Sequence, residues 1–204
     1  SVQINSLLEN IVNIIRPQMN DKNIKFDYYA HDIPFDCITA DGLRLSQIYM
    51  NLLSNAYKYT DKGGHIELEI YEELNDCKND NVRLVYRVKD NGIGMSDEYM
   101  KTMYDSFTRA EQSTISKIQG SGLGLAIVKQ LTDMMHGTIE CQSTEGIGTE
   151  FIVRIEFSIS RDRTNKNDIS GIQAEYTKSE FEGMRVLIAE DNDLNYEIIE
   201  TMLD

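Results

Sequence analysis

Apolar residues recur three and four positions apart across residues 41–60, DGLRLSQIYMNLLSNAYKYT, where Leu45, Ile48, Tyr49, Leu52, Leu53, Ala56 and Tyr59 share one face. That spacing predicts an amphipathic helix, and Asp41 stands where its N-cap belongs. Along the border of the face, Arg44, Gln47, Asn51, Asn55 and Lys58 follow at the same spacing and form a polar stripe. A second helix is predicted over residues 6–20, with Leu7, Leu8, Ile11, Ile14 and Ile15 turned inward and Pro17 late in the pattern. Alternation with period two marks strands at IKFDYY, HIELEIY, VRLVYRV, TIECQS and EFIVRIEF. Loops rich in Asn, Asp, Gly and Lys at 61–64 and 75–81 separate them. Strands in neighbouring pairs with helices between them predict an α+β fold, one sheet with one face covered by helices.

The pattern dissolves over residues 158–182, a polar stretch without period that reads as a linker. Residues 183–204 then begin a fresh unit: a continuous apolar strand, an acidic turn and the first turns of a helix. A lone strand and half a helix bury no core of their own. This segment is expected to be disordered or to dock on a neighbouring surface.

Composition narrows the function. The formal net charge of −14 opposes a nucleic-acid surface, because phosphates would be repelled. Any polyanionic ligand must therefore be held locally. Cys37, Cys77 and Cys141 lack metal-type spacing and cannot all pair within one chain, so reduced thiols are expected. No apolar run reaches membrane-spanning length. The expected location is cytoplasmic, with any membrane anchor elsewhere in a longer parent protein.

Two glycine segments carry the candidate chemistry. In RVKDNGIGMSDEYM a strand ends on Asp90, and Gly92 and Gly94 follow one residue apart. An acidic, Met-rich helical stretch comes next, where a hairpin would return as a strand. In QGSGLGLAIVKQLTDMMHG, residues 119–137, Gly120, Gly122 and Gly124 open a helix with apolar Leu123, Ile127, Val128, Leu131, Met134 and Met135. Unpaired N–H groups at a helix start, approached through glycine, outline a phosphate site. A dinucleotide-binding turn needs a buried strand just before its glycines, and SFTRAEQSTISKI is polar. A Walker loop needs a Lys-Ser or Lys-Thr after them, which is absent.

Taken in order, NLLSNAYKYT, DNGIGM, SFTRA, GSGLGLAIVKQL and GIGTEF resemble, box by box, the ATP-binding catalytic domain of sensor histidine kinases over residues 1–157. The resemblance implies a Bergerat-type two-layer α/β sandwich, shared in outline with gyrase, Hsp90 and MutL, that binds ATP and Mg²⁺. Asp90 then resembles the acceptor of the adenine amino group, with Gly92, Ile93, Gly94 and Met95 passing beside the base. Asn55 resembles the magnesium ligand, with Asn51 one turn earlier as its helper, Lys58 meeting phosphate and Tyr59 closing the box. Residues 96–119 would be a lid, anchored by Phe107 and with Arg109 facing phosphate. Gly120, Ser121, Gly122, Leu123, Gly124 and Leu125 would form the hinge and triphosphate wall, and Thr149 would reach the adenine pocket through water. Arg and Lys residues near the pocket would offset the repulsion of an acidic chain.

Hydrolytic members of the superfamily carry a glutamate general base one turn before the metal asparagine, and Asn51 stands there instead. The implied activity is therefore transfer of the γ-phosphoryl to a histidine on a separate dimerisation domain. That acceptor is not expected in this chain. His31 lies beside Pro34 and a strand pattern, His65 starts a strand and His136 ends a helix. The RVLIA strand followed by Glu190 and Asp191 resembles the start of a receiver domain with its acidic, magnesium-holding pair, as in a hybrid kinase. Implied partners are the dimerisation or histidine-phosphotransfer domain of the same parent and a receiver domain or response regulator. The competing readings are a nucleotide-sensing interaction module and an ATPase of the same superfamily.

Overall fold

A computed structural model describes residues 1–31, 33, 37–73, 81–105, 107 and 122–160. They fall within the first of the two units of the chain, Ser1–Asp162; the second, Arg163–Asp204, lies outside the described residues, as do Arg109, Gly120, Ser121, Glu190 and Asp191. The strands are β1 Val2–Gln3, β2 Lys25–Ala30, β3 Cys37–Thr39, β4 His65–Glu73, β5 Asn81–Asp90, β6 Thr138–Thr144 and β7 Gly148–Ile159. The helices are α1 Ile4–Asp21, α2 Gly42–Tyr59, α3 Asp97–Thr102 and α4 Gly124–Met134.

The strands form one sheet in the order β1-β3-β7-β5-β4-β2, with β6 paired to β7 alongside β3. Every pairing is antiparallel except β2 with β4, which is parallel. Alternation sends Ile66, Leu68, Ile70, Leu84, Tyr86, Val88, Phe151, Val153 and Ile155 to one face, where they meet α1 and α2 in a single core. This two-layer α+β arrangement is the predicted one. At its centre the rings of Tyr49 and Tyr86 stack at 3.9 Å and 4°.

Helix α2 begins as its sequence requires: the Asp41 carboxylate accepts from the N–H groups of Leu43 and Arg44. Helix α1 continues through Pro17 to Asp21. Its buried stripe is Ile4, Leu8, Ile11, Val12, Ile15 and Met19, while Ile14 is 55% exposed rather than inward. Residue 14 lies about 100° around the helix from 15, on the flank that the sheet does not cover. In α4 only Val128 and Thr132 are buried, and Met134 also faces out.

The opposite face of the sheet is a lattice of ions. Arg87 pairs with Glu67, Glu69 and Glu150 at 2.6–2.8 Å. Arg154 meets Glu73 and Glu140, and Arg83 meets Glu73 and Glu156. Val85, fully buried, lies on this face among the long side chains. His31 and His65 join its edge through Glu69 and Asp27, each at 2.8 Å. These contacts give both histidines structural surroundings, as their sequence contexts suggest.

Candidate functional site

The last residue of β5, Asp90, stands between two neighbouring strands, paired in register with Ile66 of β4 and Thr149 of β7. Its side chain turns to the helix-covered face and accepts a hydrogen bond from the Gly92 N–H at 2.9 Å. Burial pushes its carboxyl up to about 6, against the opposing pull of backbone hydrogen bonds from Gly92 and Thr149.

The loop that follows is tied on three sides. Asn91 accepts from the His65 N–H at 2.7 Å and so clips the loop to β4. The Ile93 N–H donates to the Tyr59 carbonyl at the end of α2, and the Ile93 carbonyl accepts from Gly146 in the β6–β7 turn. The Met95 N–H donates to Ser143 Oγ of β6 at 2.9 Å. These approaches leave no room for side chains at the glycines: a β-carbon at 92 would strike the Tyr59 carbonyl, and one at 94 the Thr144 carbonyl. Gly94 also has φ +66°.

Between this loop, α2, α3 and the start of α4 lies a pocket lined by Asn55, Ala56, Tyr59, Asp90, Ile93, Gly94, Met95, Tyr99, Leu125, Thr149 and Phe151. Among the described residues its walls are mainly apolar and Asp90 is its one carboxylate. Of the residues selected from sequence, Asn55, Tyr59, Asp90, Ile93, Gly94, Met95, Leu125 and Thr149 converge here. Gly92 stands just behind, against Tyr59.

Asn51 lies one turn before Asn55, and its amide donates to the Gln47 carbonyl at 2.9 Å, while no described residue donates to its Oδ1. A β-carbon at Gly124 would come to 3.3 Å of that oxygen, so the glycine keeps the start of α4 open over the polar stripe. Gly122 has φ +74°, Leu123 precedes the first turn of α4, and Lys58 sits in the last turn of α2. Phe107 does not line the pocket; it is 74% exposed with φ +66°, a conformation a bulky side chain rarely takes. The described arginines of the sheet, Arg83, Arg87 and Arg154, are engaged on its far face and lend the pocket no compensating charge.

Ala56, Tyr99, Phe151 and Ser143 went unselected. The first is a small residue on the apolar face of α2 beside Asn55, and Phe151 repeats the inward phase of Thr149 two residues on. Those two phases were visible in the sequence; the positions of Tyr99 and Ser143 depend on pairings between distant segments. Cys141 packs in register with Phe151, and burial, with the nearby Asp90 charge, raises its thiol to about 12.

Fold and pocket together define an ATPase domain of the histidine-kinase and gyrase kind. Residues 40–159 match the family of histidine kinase-, DNA gyrase B-, and HSP90-like ATPases, and the chain belongs to it. It is 34% identical over 191 residues to the autoinducer 2 sensor kinase/phosphatase LuxQ of Vibrio parahaemolyticus, covering 92% of this chain and 22% of LuxQ. With the sensor histidine kinase GacS of Pseudomonas protegens it shares 30% identity, covering 98% of this chain and 21% of GacS. The chain thus spans about a fifth of the length of these curated relatives. Among solved structures, full-length ShkA in complex with AMPPNP superposes with a TM-score of 0.62 at 29% identity, over 78% of this chain and 31% of ShkA.

Proposed function

We propose that this domain binds Mg·ATP and presents the γ-phosphoryl group to a histidine imidazole on the dimerisation domain of its parent protein. The observation that carries the reading is Asp90: a half-buried carboxylate fixed by the Gly92 N–H in an apolar-walled pocket. It suits the amino group of adenine, with Ile93, Met95, Leu125 and Phe151 contacting the ring faces and Thr149 its polar edge. Lys58, Arg109, Ser121, Leu123 and the glycines at 120, 122 and 124 would receive the phosphates, with Phe107 on the lid. Relatives named as sensor histidine kinases support the same activity.

Asn55 and Asn51 would hold the magnesium ion. The donor set fits: Asn51 Oδ1, with no donor among the described residues, lies over the cradle left by Gly124, and the amides are neutral oxygen donors. Among the described residues no cluster of three His, Cys, Asp or Glu could hold a metal by itself. The ion's other oxygens would come from the triphosphate, whose charge it would neutralise. Asn51 cannot take a proton from water as a carboxylate would, which favours transfer to a protein group over hydrolysis. Placement and charge neutralisation then carry catalysis. Residues 183–204, with Glu190 and Asp191, fit the opening of a receiver domain that would take the phosphoryl group onward.

The test mixes the chain with its parent's dimerisation domain and γ-labelled ATP. Acid-labile, base-stable label on that domain, lost with Asp90→Asn, is the expected result. Rapid steady phosphate release by the chain alone, with no label transferred, would replace the kinase reading with a hydrolase one.

A further inference from the structure

Asp90, Thr149 and Ser143 form one row across β5, β7 and β6, each in register with the next. Ser143 Oγ has three polar neighbours: the Met95 N–H at 2.9 Å, the Gly148 carbonyl at 3.0 Å and Thr149 Oγ1 at 2.9 Å. A serine hydroxyl has one proton and two lone pairs. The amide can only donate and the carbonyl can only accept, so the Ser143 proton goes to Gly148 and one lone pair takes the Met95 N–H. The remaining lone pair needs a donor, and the Thr149 hydroxyl supplies it. The Thr149 proton therefore turns toward Ser143 and away from the pocket.

We propose that Ser143, which does not line the pocket, is a positioning residue that leaves Thr149 Oγ1 only an acceptor toward the pocket and thereby helps select a purine bearing an amino group at C6 over one bearing a carbonyl. Two acceptor oxygens, from Asp90 and Thr149, then stand side by side at the polar corner. A 6-aminopurine brings a donor to them. A 6-oxopurine brings a third acceptor there, and its N1–H can meet only one of the two oxygens, so lone pairs are left opposed and unpaired. Without Ser143 the Thr149 proton is free to rotate into the pocket and meet that carbonyl. The inference rests on the pocket being a nucleotide site.

Calorimetric titration of the full chain with ADP and with IDP, for the parent protein and for Ser143→Ala, Ser143→Thr and Thr149→Val, tests it. The ADP-over-IDP affinity ratio is expected to fall about tenfold in Ser143→Ala and in Thr149→Val, and to be retained in Ser143→Thr, which keeps the hydroxyl. A role in holding the Met95 loop alone would weaken both ligands equally; an unchanged ratio in Ser143→Ala overturns the proposal while ADP binding upholds the nucleotide reading. If Ser143→Ala fails to fold, Thr149→Val decides: an unchanged ratio there also overturns it. Parent protein that binds neither nucleotide removes the nucleotide reading and this inference with it.

Discussion

A β-carbon on Gly92 would run into the backbone carbonyl of Tyr59, the last residue of α2. That carbonyl is already the acceptor for the Ile93 N–H, so the Asp90 loop is seated on the end of the helix that carries Asn51 and Asn55. Two halves of the proposed site, base and phosphate, are thereby locked together by backbone. Gly92 needs a missing side chain here rather than a left-handed backbone.

Gly92→Ala must push the loop off α2. The expected cost is about 1–3 kcal/mol of stability, with nucleotide affinity falling at least about tenfold, because the Gly92 N–H that fixes Asp90 moves as well. Chemical denaturation and calorimetric titration of the same preparation read both. Full affinity in a destabilised variant would show that the loop's seat and the pocket are separable.

Asp90 links stability to pH. Its carboxyl is raised from 3.8 to about 6, so the folded state holds the proton more tightly than the unfolded one. The sign follows: between about pH 4 and pH 6 this group makes the protein less stable as pH rises, by roughly 3 kcal/mol in all, and the loss is complete above pH 6. Asp90→Asn is therefore expected to stabilise the ligand-free protein at pH 7.5, with the advantage shrinking toward pH 4. The same substitution should abolish nucleotide binding, whereas the parent protein should lose affinity as pH falls below 6 and the carboxylate is protonated. Denaturation curves at pH 4.5 and 7.5 check it; a destabilised Asp90→Asn at pH 7.5 would contradict the burial argument.

Magnesium dependence should reside in the triphosphate and in Asn55. Removing the metal with a chelator is expected to weaken a non-hydrolysable ATP analogue at least about tenfold and to leave adenosine unaffected. Asn55→Ala should bind the analogue equally with and without the metal. Chelator-sensitive adenosine binding would place the ion elsewhere.

Arg87 meets three carboxylates on the far face of the sheet with its side chain 22% exposed. Arg87→Ala leaves them repelling one another, at an expected cost of about 1–3 kcal/mol. Salt screens the repulsion, so the deficit should be smaller in 1 M than in 0.05 M salt, about 3 Å against more than 10 Å of screening length. Nucleotide affinity should not change, since the pocket lies across the sheet. Denaturation at the two salt concentrations tests the first point and titration the second.

What the sequence determined by itself was everything set by neighbours along the chain. The stripe of α2 with its Asp41 cap, the alternation of β4, β5 and β7, and the acid followed by paired glycines depend on residues within a turn or two of each other. Tertiary structure alone decided what distant segments share. The parallel pairing of β2 with β4 and the short strands β1 and β3 have no local signature, because two or three residues hold too little pattern and direction is set by the partner. Ile14 looked as apolar as its neighbours, yet only the placement of the sheet leaves it outside. The Asp90, Thr149 and Ser143 row is the clearest case: positions 59 and 53 apart from the first become adjacent only through strand register, and a slip of one residue would turn each side chain to the ionic face.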